Sequence, residues 1–124
     1  MIGRALCLAL ALLTSACVQQ PALPDSGQFA LLRTWGEFIE INGTAPEAPY
    51  QVALEAGSHS ATVRYRTLRV DYDCLFEFTV KPGQVYEIID QSNPSPLRLY
   101  RWKRQNGLWA NRVDPVDPLS CSES

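Results

Sequence analysis

The chain has 124 residues, enough for one domain. Hydrophobic residues make up 46% and charged residues 19%, which places it among globular chains and excludes wholesale disorder. A formal net charge of −2 excludes a global attraction to nucleic acid, and nine prolines with seven glycines suit many short strands better than a helical bundle.

Residues 1–16 read as a signal peptide. Arg4 is the positive start, and Ala5 to Leu13 is an unbroken apolar run, too short to span a bilayer. Thr14-Ser15-Ala16 then places small residues directly before Cys17. Two readings compete. Ordinary secretion would cleave after Ala16. The other reading rests on LTSAC, which resembles a bacterial lipoprotein box, and implies that Cys17 is acylated and becomes the mature N-terminus. Cysteine parity favours the second. Loss of the leader removes Cys7 and leaves Cys17, Cys74 and Cys121, an odd set for an exported chain; lipidating Cys17 leaves an even pair. Val18 follows the cysteine where the lipoprotein resemblance would place Asp for inner-membrane retention, so the implied address is the periplasmic face of the outer membrane.

Residues 17–27 are the lipidated cysteine and a polar, Pro-rich flexible tether, which spans roughly 30 Å when extended. A β domain then occupies 28–124. Gln28 to Ile41 reads as one strand bent at Gly36, or as two short ones, with a helix through Phe29 to Leu32 the weaker alternative; Asn42-Gly43 closes it with a turn. Tyr50, Val52 and Leu54 alternate with polar residues, as do His59, Ala61, Val63 and Tyr65. The Ala56-Gly57 break between them predicts a β-hairpin. Tyr72, Cys74, Phe76, Phe78 and Val80 share the next parity, and Lys81-Pro82-Gly83-Gln84 predicts a second hairpin with Val85 to Ile89. Leu97 to Arg104 turns at Asn106-Gly107 and runs back through Val113, and the tail from Asp114 reads as irregular. The expectation is an all-β antiparallel sandwich of about seven strands.

Ile41-Asn42-Gly43, Leu54-Glu55-Ala56-Gly57-Ser58-His59 and Thr62-Val63-Arg64-Tyr65 resemble the PEGA-type pattern, an I-x-G turn followed by L-x-P-G-x-H-x-V-x-V, with Ala56 in place of the Pro. Pro82-Gly83-Gln84-Val85-Tyr86 resembles a hairpin of small envelope lipoproteins. The resemblance spans about residues 38–89. It implies a small immunoglobulin-like or PEGA-like sandwich used as a binding or spacer module, not as a catalyst.

The chemistry agrees with that reading. His59 is the lone histidine and has no nucleophile or ligand set at useful spacing, so it reads as structural; no catalytic, metal or cofactor site is expected. Cys74 and Cys121 lie outside any C-x-x-C motif and are expected as a structural disulfide. Asp71 and Asp73 read as solvated charges with cross-strand arginine partners and not as a glycosidase pair. The strongest binding signal is LRLYRWKRQNGLWANRV, Leu97 to Val113, with five cations and no acid. Arg98, Tyr100, Trp102 and Arg104 share one strand face, Arg101 and Lys103 the other, and Trp109 lies past the turn. Guanidinium groups interleaved with rings suit sugars and anions, so peptidoglycan, lipopolysaccharide or an acidic envelope protein are the expected partners, and nucleic acid is not. The plainer alternative makes Tyr100 and Trp102 core residues, with the arginines guarding a strand edge. The function expected is that of a non-catalytic outer-membrane lipoprotein; the alternative is a soluble periplasmic or secreted ligand-binding protein or hydrolase.

Overall fold

Period-two alternation becomes strand over most of residues 27–90 and 96–123, which are the residues described by the computed structural model. Nine strands form there: β1 (Phe29–Thr34), β2 (Glu37–Ile41), β3 (Gln51–Glu55), β4 (Gly57–Arg66), β5 (Asp71–Val80), β6 (Val85–Asp90), β7 (Leu97–Gln105), β8 (Leu108–Val116) and β9 (Ser120–Glu123). The expected signal peptide, Cys17 and the tether up to residue 26 lie outside the described residues. Sheet A has the order β3-β1-β6-β7-β8 and sheet B the order β2-β4-β5-β9. The two sheets form a small β-sandwich. Its core takes Ala30, Leu32, Leu54, Tyr86, Ile88, Leu97 and Leu99 from sheet A, and Phe38, Ile41, Ala61, Val63, Cys74, Phe76, Phe78 and Val80 from sheet B. Each fully buried large side chain among them contributes about 1.5–3 kcal/mol.

The strands were legible individually, but two of the expected hairpins are not hairpins. β3 pairs with β1 in sheet A, while β4 pairs with β2 and β5 in sheet B. Only Ala56 separates β3 from β4, too little for a two-residue hairpin turn, and Gly57 at φ 127° carries the chain across to the other sheet. Lys81 to Gln84 does the same between β5 and β6. The Tyr86 hydroxyl accepts from the Lys81 N–H at 2.9 Å, and the Gly83 N–H donates to the Phe29 carbonyl at 3.0 Å. Genuine hairpins occur at β4–β5 and at β7–β8. In the latter, Asn106 and Gly107 both have positive φ, as a type I′ turn requires. Asn42 and Gly43 share this geometry, with Ile41 and Thr44 exchanging both backbone hydrogen bonds.

Two further differences concern the ladder. β1 lies parallel to β6 within a sandwich that is otherwise antiparallel, because the chain passes through sheet B before returning beside its own first strand. The tail, expected to be irregular, extends β8 to Val116 and forms β9 against β5. Its prolines suggested loop; Pro115 instead sits in an edge strand, where a missing N–H is tolerated.

β1 and β2 are separate strands because Trp35-Gly36 forms a corner between sheets. The Trp35 N–H donates to the Ile88 carbonyl at 3.1 Å, and the Gly36 N–H to the Thr34 hydroxyl at 3.0 Å. A Cβ on Gly36 would stand 2.5 Å from the Arg64 carbonyl oxygen and 2.9 Å from Val63 Cγ1. Gly36→Ala is therefore expected to lower stability by about 3 kcal/mol through overpacking against backbone. Gly43→Ala, which meets nothing within 4 Å but has φ +83°, should lose only about 1 kcal/mol. Urea midpoints of the two variants test that order.

Cys74 and Cys121 are bonded and stand directly opposite one another on β5 and β9, with Cα atoms 4.1 Å apart. Cys74 is completely buried, so the bond ties the last strand to the core. Alkylation without reductant should label neither thiol. Cys121→Ser should lower stability by about 4 kcal/mol, given the length of the loop that the bond closes.

Candidate functional site

The outward faces of the two sheets differ in kind. On sheet B the face is polar and self-paired. Arg64 donates from Nε and Nη2 to both oxygens of Asp73, at 2.9 and 3.2 Å, which holds its guanidinium pKa above the ordinary value. Arg66 reaches Glu37 at 3.6 Å. His59 lies at the rim of this sheet. Asn42 Oδ1 accepts from the Ser60 N–H, so its Nδ2 faces His59 Nδ1 at 2.9 Å and donates to it. With Nδ1 accepting, His59 Nε2–H is the donor to the Glu55 carbonyl at 2.6 Å. Both ring nitrogens are thus engaged by the fold. Among the described residues no group of three or more His, Cys, Asp or Glu side chains is placed to hold a metal ion.

Sheet A presents aromatic rings and arginines, and it buries residues of outward parity. Leu31 and Val85 lie in one cross-strand row with Trp102 and Arg112, and both are buried although neither belongs to the inter-sheet core. In the next row Arg33, Glu87 and Tyr100 stand side by side. The Glu87 side chain is only 2% exposed. Arg112 reaches across β7 and donates to Glu87 Oε1 from Nε at 3.1 Å and Nη2 at 2.9 Å, while Arg33 Nε lies 4.0 Å from Oε2. The same guanidinium sits 4.7 Å from the centre of the Trp102 ring and 5.9 Å from that of Trp35. A cation against indole faces is attracted by the ring quadrupole, and a planar guanidinium can stack and hydrogen-bond at once. Trp102 Nε1 is buried and has no hydrogen-bond partner among the described residues.

The predicted ribbon is divided by this geometry. Arg98, Tyr100, Trp102 and Arg104 do share the outward face, Trp109 stands opposite Arg104, and neither Tyr100 nor Trp102 belongs to the core. Arg101 points the other way, to Asp114 at 2.9 Å and Gln84 at 3.3 Å. Arg98 binds Asp117 at 2.8 Å, and this hydrogen bond holds the Arg98 pKa above its ordinary value. Two arginines three residues apart on β7 thus meet two aspartates three apart in DPVDP, in antiparallel register. The acids missing from Leu97 to Val113 come from beyond it and from β6. Of the segment's cations, Lys103 and Arg104 alone have no carboxylate partner among the described residues; Arg104 instead donates to the Gly107 carbonyl at 3.2 Å and lies 4.8 Å from the Trp109 ring centre.

Sequence reasoning missed Glu87, Arg33 and Trp35 as parts of this surface. Strand parity gave their face, but only lateral register brings β1 and β8 together across β6 and β7. No family model, no curated protein and no solved structure matches this chain.

The buried carboxylate makes a sharp asymmetry. Arg112→Met strands Glu87 with one distant arginine and should lower stability by about 3 kcal/mol. Glu87→Leu releases Arg33 and Arg112, each about one-third exposed, to water and should change stability by less than about 1 kcal/mol. Chemical denaturation of the two variants reads this difference directly.

Proposed function

We propose that the chain is a non-catalytic outer-membrane lipoprotein, acylated at Cys17, tethered through residues 18–27, with a periplasm-facing β domain that contacts an envelope component. The observation that carries this reading is the Cys74–Cys121 bond. Such bonds are characteristic of oxidising compartments, and this one uses both cysteines of the domain, so that acylation is the role that parity offers Cys17, the remaining cysteine after the expected leader. The hydrogen bonds on both nitrogens of His59 support a non-catalytic role, since a general base needs a free lone pair aimed at a nucleophile. The resemblance to PEGA-type modules agrees with contact rather than turnover. The surface offered for contact is the outward face of sheet A, where aromatic rings and guanidinium groups suit envelope glycans, lipopolysaccharide phosphates or an acidic protein.

The test is palmitate labelling with cell fractionation. Wild type should incorporate label and sediment with membranes; Cys17→Ala should lose both. Membrane residence unchanged in Cys17→Ala would rule the anchor out.

A further inference from the structure

The register of sheet A fixes which parts of the domain lie near the point where the chain enters it. β1 starts at Phe29, and Leu31 stands beside Val85, which stands beside Trp102. Two residues back along β1 is Phe29, and two residues on along β7 is Arg104, opposite Trp109. The first residue of β1 and the β7–β8 turn therefore lie at the same end of sheet A. The two cations of the Leu97–Val113 segment that lack a carboxylate, Lys103 and Arg104, are both at this end. Beside them Leu108 is 55% exposed, and Trp109 lies under the Arg104 guanidinium. We infer that the β7–β8 hairpin tip is a second membrane contact, in which Lys103 and Arg104 meet anionic phospholipid headgroups and Leu108 and Trp109 enter the interface.

This inference rests on the tethered-lipoprotein reading for its geometry. On that reading residues 18–27 join the domain next to Phe29, so the lipid anchor is attached at this end of the sandwich. Basic side chains near an anionic leaflet gain attraction that decays within a Debye length, and indole rings favour the headgroup level. The rival surface is the β4–β5 turn, where Leu68 is fully exposed beside Arg69. It lies at the far end: Tyr65, near the end of β4, donates to Asp90, the last residue of β6, whereas the first residue of β6 is level with Leu31. Position relative to the tether separates two loops of similar composition.

The test uses the unacylated mature chain, residues 17–124 with Cys17→Ser, in flotation with phosphatidylcholine vesicles with and without phosphatidylglycerol. Binding is expected only to the anionic vesicles and should weaken as salt rises. Lys103→Gln with Arg104→Gln should reduce partitioning by about fivefold per charge, with thermal unfolding unchanged because both side chains are exposed. Leu68→Ser with Arg69→Gln should leave binding as it was. No binding to anionic vesicles would overturn the inference. So would loss of binding in the Leu68/Arg69 variant alone, or dependence on Lys103 and Arg104 only in parallel sedimentation with purified peptidoglycan. Because this chain carries no acyl group, the vesicle result and the palmitate result fail independently.

Discussion

The architecture depends on corners that move the chain from one sheet to the other within one to four residues. At Trp35-Gly36 the backbone passes so close to Arg64 that a single added carbon would collide with a carbonyl oxygen. At Ala56-Gly57 a lone residue separates strands in different sheets, and at Lys81 to Gln84 the turn is pinned by the Tyr86 hydroxyl and the Phe29 carbonyl. Such tight crossings leave no freedom in register. Once they are set, Leu54 enters the core from the opposite sheet to Ala61 and Val63 rather than beside them in one hairpin, and β6 must return beside β1 in parallel. Parallel neighbours cannot be joined by a short turn, so the long detour through sheet B is the structural counterpart of those corners.

The same topology makes the two outward faces unequal. Sheet B solves its outer surface locally, with Arg64 and Asp73 opposite each other on adjacent strands. Sheet A solves its surface across three strands, because Glu87 on β6 is answered from β8 over the top of β7. A carboxylate taken out of water has to be paired and hydrogen-bonded, whereas an arginine with a long apolar stem can stay partly wet while doing the pairing. Arg112 therefore does two things at once. It neutralises Glu87, and its stem and guanidinium join Trp102 and Trp35 in one layer. On β7 and β8 the cations without a carboxylate partner among the described residues, Lys103 and Arg104, stand at the end of the hairpin.

How far the sequence could be read follows from this. Alternation identified nearly every strand and nearly every inward residue, from Val52 and Leu54 through Tyr72, Cys74 and Phe76 to Val80, because parity is a local property. Pairing is not local. Nothing in Ala56-Gly57 distinguishes a hairpin from a sheet crossing except that one residue is too few to turn back, and the run Lys-Pro-Gly-Gln suits both outcomes. The disulfide was legible because Cys74 shares inward parity with Phe76 and Phe78, and Cys121 is the one other cysteine in the β domain. The Glu87 site was not, since a glutamate of outward parity in mid-strand normally faces water. Its burial is created by Arg33 and Arg112, which are 54 and 25 residues away from it in sequence and meet it only through sheet order.

β8 and β9 show how an edge strand is held when the backbone alone cannot do it. Both β8 and β9 are edge strands, with ladder partners on one side only. Pro115 removes a donor within β8, Pro118 removes another in the crossing to sheet B, and β9 is only four residues long. Side chains make up the difference. Arg98 and Arg101 take the two aspartates that precede these prolines, Arg112 locks the middle of β8 to Glu87, and Cys121 closes β9 onto Cys74. The exposed Arg98 and Arg101 pairs contribute little energy one at a time, but their matched spacing fixes the register of the proline-bearing strand. The arginine richness of β7 thus serves two ends. At its start the arginines secure the edge; at its finish, where Asn106-Gly107 turns the chain and no aspartate follows in register, Lys103 and Arg104 have no carboxylate partner among the described residues.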